Sequence, residues 1–331
     1  MTSGITIYTA ADAPPGGLND ETVAVVGYGN LGRTVALNLR DSGVKVRIGN
    51  REDEYAECAR ADAFDVVSVR EAATTADVVV VLLPDEVIPE VFAGDIAPAL
   101  RSGSAIAFAS GYSLAFGLIR PPDDVDVLLV APRSPGRIAR GRFLAGEGFW
   151  ACLGVEAERS GRARQRMLAL ADAIGALRAG AIQMTARQEA TLDLFVEQTV
   201  GALVGTALMI AFEVGCEAGV PPEAMIMEMY GSGEMESVFR SFRETGFFRA
   251  SEEHGPTALY GGIIRTLGMD REAIATSFRG ILQDITSGGF AAGFQDEAKN
   301  GYPMLGLAKA MLQESSPIST AEDRIRRLLG R

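Results

Sequence analysis

An α/β fold is predicted, with a doubly wound parallel sheet in the N-terminal half and an all-α C-terminal domain. Two observations predict it. Between residues 22 and 130, short continuous runs of valine, leucine and isoleucine alternate with helical patterns; after about residue 183 the strand-like runs stop and helical periodicity takes over. Continuous apolar runs, rather than in-out alternation, mark strands covered on both faces, as in a parallel sheet flanked by helices.

Residues 1–20 are polar and turn-rich and read as a loose arm, with neither the basic start nor the apolar stretch of a signal peptide. Strands are expected at 23–27, 45–49, 78–83, 104–108 and 127–131, with helices between them at 31–42 and 55–61. A further amphipathic helix is expected at 161–176, and 180–183 closes the unit. From there 185–219 is helical throughout until Pro221-Pro222 breaks it, and 223–230 resumes. Gly231-Ser232-Gly233 interrupts, and 234–245, 271–287 and 305–315 are further helices. The expected division is an arm over 1–20, a nucleotide-binding domain over 21–182 and a helical domain over 183–331.

The first strand runs directly into Gly27-Tyr28-Gly29-Asn30-Leu31-Gly32. Gly27 permits the tight turn, Gly29 lets backbone approach a pyrophosphate, and Gly32 lets helix pack on strand. The helix N-terminus adds N–H donors and a partial positive charge. G-x-G-x-x-G alone is weak; between a strand and a helix it reads as a Rossmann dinucleotide cradle, against the bland reading of a glycine turn. The second strand ends in Asn50-Arg51, followed by Glu52-Asp53-Glu54. Carboxylates there repel a 2′-phosphate and accept hydrogen bonds from a free ribose diol, so NADH is favoured over NADPH. The opposing reading is a solvated acidic loop that leaves Arg47 and Arg51 free to hold NADPH.

Asp193 and Glu197 stand at i and i+4 in a very apolar stretch, and Glu189 extends the row by a turn. Burying ionised carboxylates side by side is costly unless a cation compensates. Glu228 and Glu234 flank the glycine interruption. Four carboxylates with no histidine nearby favour Mg²⁺ over zinc. The alternative is that arginines neutralise the row, or that it is a solvated face.

The chain of 331 residues carries a net charge of −12, which argues against a nucleic-acid partner. Cys58, Cys152 and Cys216 are odd in number and widely spaced, so neither a disulfide framework nor a zinc site is indicated. The uncharged run 198–212 is too short to span about 30 Å of hydrocarbon. The expectation is a soluble cytoplasmic protein with a small-molecule substrate.

Several stretches resemble the ketol-acid reductoisomerase family over almost the whole chain. They include Gly27-Tyr28-Gly29, Leu82-Leu83-Pro84-Asp85-Glu86-Val87, Val130-Ala131-Pro132, Asp193-Leu194-Phe195-x-Glu197-Gln198 and Asp284-Ile285-x-Ser287-Gly288. The resemblance implies a Rossmann domain, a knotted helical domain, and a homodimer or higher homo-oligomer with active sites between subunits. It implies two Mg²⁺ ions on neighbouring substrate oxygens, with Asp193, Glu197, Glu228 and Glu234 as ligands, the last two from the partner. Pro84, Asp85 and Gly136 join the cofactor-binding residues by the same resemblance. In the family the second ligand pair is one turn apart; here Glu228 and Glu234 are six positions apart.

Three departures fall at the reacting end. Ser110-Gly111-Tyr112 replaces the family's His-Gly-Phe, Arg133 replaces a lysine, and the substrate-gripping serine falls at Gly255. Serine and arginine do not readily exchange protons near neutrality. Tyr112 and His254, the only histidine, are candidate replacement donors. The expected activity is Mg²⁺-dependent reduction, with or without a preceding alkyl shift, of a 2-keto or 2-hydroxy-keto acid outside the family's usual substrate. Ser110, Tyr112, Arg133, Asp193 and Glu197 are the candidate catalytic residues. The alternatives are a metal-independent ketone or imine reductase with Asp193 as proton donor, and a catalytically silent cofactor-binding homologue.

Overall fold

The computed structural model describes residues 4–330 except 251, 253, 254 and 315, with 313 and 314 described in backbone only. His254 therefore lies outside the described residues. The chain separates into two compact units, Met1–Asp193 and Leu194–Arg331.

Among the described residues the first unit has nine strands: β1 (Ile7–Tyr8), β2 (Thr22–Val26), β3 (Lys45–Gly49), β4 (Val66–Val67), β5 (Val78–Val81), β6 (Ala105–Phe108), β7 (Asp126–Pro132), β8 (Ala151–Ala157) and β9 (Ala181–Gln183). Their order in the sheet is β1-β9-β8-β7-β6-β5-β2-β3-β4. From β4 to β7 all neighbours are parallel, and β8 pairs antiparallel with β7. The five strands expected from the apolar runs are β2, β3, β5, β6 and β7. Their side chains alternate between two cores. Val23, Val25, Val78 and Val80 face one, while Ala24, Val26, Val79 and Val81 face the other. Burial on both faces is why these runs are continuous rather than alternating.

Four strands lack a sequence signal. β4 and β1 are two residues long, β9 is three, and Gly154 and Glu156 break the apolar run of β8. The arm expected to be loose is tied to the sheet edge: β1 pairs antiparallel with β9, and the buried Tyr8 donates its hydroxyl hydrogen to Gln183 Oε1 at 2.9 Å. Glu21, where the arm ends, meets Arg166, which also holds the fully buried Asp126 at 3.0 Å.

The second unit is helical. The helix Ala186–Glu217 carries the chain into it, with a π-turn at Glu197–Gly201. It has 32 residues and is long and apolar enough, by length and composition, to cross a membrane, with only 11% of its apolar window buried. The uncharged run 198–212 is too short to span a membrane, but the helix continues past it at both ends through charged residues. Phe212, Ile226 and Ala321 form a small core in this unit. The helices Pro256–Gly268, Gly289–Lys299 and Pro317–Leu329 were not anticipated. Each opens on a proline or glycine that reads as a breaker in the sequence, yet proline at the first helical position fits because its missing N–H would have no partner there.

Candidate active site

The sheet order reverses at β2, whose neighbours are β3 and β5, so a crevice opens beyond the carboxyl ends of these strands. A cavity of about 520 Å³ lies there. Gly27 turns the chain with a φ of 93°, and a Cβ on it would meet Leu82 O at 2.6 Å. Gly32 packs so tightly under the turn that a Cβ would come 2.1 Å from Gly27 O. Gly29 is the N-cap of the helix Asn30–Asp41 and has open space beside it, the room a diphosphate needs. Gly27 to Leu31, Pro84 and Asp85 all line the cavity.

Tyr28 contributes backbone rather than a ring to the cleft. Its side chain is buried, packs edge-on against Phe64 and donates to Asp62 at 2.8 Å; burial and that carboxylate push the hydroxyl pKa above its usual range. Gly136 does not line the cavity. It seats the helix Gly136–Leu144 on the cradle helix: a Cβ would lie 2.3 Å from Asn30 O, and its carbonyl accepts from Thr34 Oγ1 at 2.7 Å.

At the ribose end, Asp53 accepts from Tyr55 N and Ala56 N, capping the helix Glu54–Ala61, and pairs with Arg51 at 2.8 Å. The Arg51 guanidinium holds the Asp53 carboxyl below the ordinary range, assisted by the helix N–H groups and Asn50. Asn50 was not singled out from sequence. It donates to Asp53 at 2.8 Å and accepts from Tyr28 N at 3.3 Å, linking the cradle to the specificity loop.

Ser110, just past β6, lines the cavity and accepts from Tyr112 N at 3.1 Å. The Tyr112 side chain is buried, packed edge-on against Phe116 at 5.0 Å, and is not among the cavity-lining residues. Between them Gly111 presses against the first turn of the helix from Ala186: a Cβ would lie 2.2 Å from Ala186 O. Its N–H donates to Glu189 at 2.6 Å. Glu189 is 1% exposed, and burial raises its carboxyl pKa against the opposing pull of the Gly111 N–H and Arg133.

Arg133, just past β7, forks across the acidic row. Nη1 donates to Glu189 Oε1 at 2.9 Å and Nη2 to Asp193 Oδ1. Arginine neutralisation is thus realised for Glu189 and Asp193. Glu197, Glu228 and Glu234 are exposed and have no ion-pair partner among the described residues. Glu228 sits in the π-turn Met227–Gly231 and Glu234 opens the next helix, with left-handed Gly233 (φ 81°) between them. Among the described residues no three histidines, cysteines or acids converge as a metal set. Gly255 caps the helix Pro256–Gly268.

The family model for the acetohydroxy acid isomeroreductase NADPH-binding domain matches residues 17–180, and that for the ketol-acid reductoisomerase C-terminal domain matches 187–330. The chain belongs to the ketol-acid reductoisomerase family. It is 38% identical to the ketol-acid reductoisomerase (NADP(+)) of Pyrobaculum neutrophilum over 98% of each chain. An NADH-preferring ketol-acid reductoisomerase from an uncultured archaean superposes with a TM-score of 0.93 at 34% identity, covering 98% of this chain and 100% of that one. A pyrroline-5-carboxylate reductase from Coxiella burnetii shares the fold alone, with a TM-score of 0.57 at 15% identity over 80% of this chain and 97% of the other. The glycine cradle and Ser110 border the cavity, while Arg133 meets the acidic row.

Proposed function

We propose that this chain is a ketol-acid reductoisomerase-type oxidoreductase that uses a nicotinamide cofactor, NADH in preference to NADPH, and Mg²⁺ to reduce a 2-keto or 2-hydroxy-keto acid that differs from the usual family substrate. The observation that carries this reading is a run of contacts from the cofactor cleft to the acidic row. Ser110 lines the cavity, its neighbour Gly111 donates to Glu189, and Arg133 ties Glu189 to Asp193. The glycine cradle and helix N-terminus bind the diphosphate, and Asp53 accepts from the adenosine ribose hydroxyls.

The donor chemistry fits Mg²⁺. The candidate ligands Asp193, Glu197, Glu228 and Glu234 are all carboxylates, and three of them lack a counter-charge among the described residues. When bound, Mg²⁺ polarises a carbonyl as a Lewis acid. Arg133 forks across two carboxylates and orients them. Ser110 is placed to hydrogen-bond in the cleft. The exposed apolar residues Val200, Leu203, Val204, Ile210 and Val214 on the long helix, with Phe247 and Phe248, support a homodimer or larger homo-oligomer in which a second copy covers them. We assign this surface to protein rather than lipid, and the protein to the cytoplasm.

The test is turnover of 2-acetolactate and a panel of 2-keto acids with each cofactor, before and after EDTA, with products identified by mass spectrometry. Activity lost to EDTA and restored by Mg²⁺ is expected; turnover indifferent to EDTA would overturn the metal assignment. A second reading has its own observation: the Arg133 guanidinium already neutralises Asp193. It predicts metal-independent reduction of a C=O or C=N bond, with activity surviving the chelator.

A further inference from the structure

Arg133 reaches both members of the acidic row through separate arms of one guanidinium: Glu189, which is almost fully buried, and Asp193, which is about one-third exposed. The backbone fixes its origin, since Arg133 N donates to Trp150 O at 2.7 Å, anchoring it beside β8. Glu189 cannot release its arm cheaply. Its carboxylate is out of water and also accepts from the Gly111 N–H. Asp193 is under no such constraint. A partly exposed ion pair is weaker and more readily exchanged than a buried one.

We propose that Arg133 is a built-in counter-cation that competes with the divalent ion for Asp193. The arm on Glu189 keeps the guanidinium in place, and the arm on Asp193 is the one a metal must displace. An ammonium in its place would be a single point of charge and could not fork across both carboxylates. The inference rests on the metal reading above. Its consequence is a metal affinity limited by this chain's own arginine.

The experiment is Mn²⁺ binding, followed by the loss of the free-ion EPR signal, to the purified full chain as wild type, Arg133→Gln and Arg133→Lys, with NADH binding as the check on folding. Arg133→Gln is expected to bind Mn²⁺ about fivefold or more tightly, and Arg133→Lys to fall between it and wild type. Damage to the fold would weaken binding, so a gain cannot come from disruption. If Arg133→Gln misfolds, the comparison of Arg133→Lys with wild type decides. Wild-type binding with no gain in either variant overturns the competition. A gain in the glutamine variant alone supports the competition and assigns it to charge, overturning only the role of the forked contact. Binding by neither wild type nor any variant overturns the metal reading itself and this inference with it.

Discussion

The backbone N–H of Gly111 donates to the Glu189 carboxylate at 2.6 Å, across 78 residues of sequence. This bond fastens the loop carrying Ser110 to the helix carrying Asp193. Glu189 is therefore expected to act on stability and on site geometry together. Glu189→Ala would leave the Gly111 N–H without its partner, at a cost of about 1–3 kcal/mol, measurable by urea unfolding.

The same group sets a pH dependence. Burial raises its pKa in the folded state, so folding favours the protonated form. The favourable contribution is complete below the ordinary glutamate range and is lost as pH rises through the raised value. Measured from about pH 4 to about pH 8, the stability of wild type relative to Glu189→Gln should fall with rising pH and then level off. A difference that grows with pH would contradict this.

The glycines of the cradle separate structural from cofactor roles. A methyl on Gly32 collides with Gly27 O, whereas one on Gly29 meets nothing within 4 Å. Gly32→Ala should lower the melting temperature. Gly29→Ala should leave stability within about 0.5 kcal/mol of wild type while weakening NADH binding, because the methyl fills the space the diphosphate takes. Calorimetry and fluorescence titration of NADH would check both; equal loss of stability in the two variants would refute the distinction.

Asp53 caps a helix, and in the proposed reading its charge also disfavours a 2′-phosphate. Asp53→Ser keeps a capping side chain and removes the charge. The NADPH-to-NADH ratio of kcat/KM should rise by about fivefold to tenfold, the effect of about 1 kcal/mol of lost repulsion. An unchanged ratio would move specificity to Arg47 and Arg51.

Glu228 and Glu234 lie on separate helical segments divided by Gly233. If both bind metal, Glu228→Gln and Glu234→Gln should each raise the Mg²⁺ concentration needed for half-maximal activity by tenfold or more, taking one lost carboxylate as about 1.4 kcal/mol. A variant indistinguishable from wild type identifies the carboxylate that the altered spacing has removed from the set.

Much of the fold was legible because it is local. Four valines in a row at Val78–Val81 specify a strand buried on both faces, and Gly27 and Gly32 specify a turn that no side chain fits. The i, i+4 spacing of Asp193 and Glu197 puts two acids on one helix face. The two-residue strand of the arm carries no period to read, and it is defined only by its partner near residue 182. The resemblance alone implies Gly136 as a cofactor residue; that it also seats a helix is visible only in the packing.

What the sequence determined by itself is the parallel centre of the sheet, the glycine turn and the acidic row, since periodicity and the steric freedom of glycine act over a few residues. What only the tertiary structure decided is which side chain of opposite charge meets that row. Arg133 lies 56 residues from Glu189 and 60 from Asp193, and their pairing depends on the end of β7 meeting the first turns of a distant helix. Ion pairs of that kind are set by the packing of whole elements, because charge attracts through space and leaves no pattern along the chain.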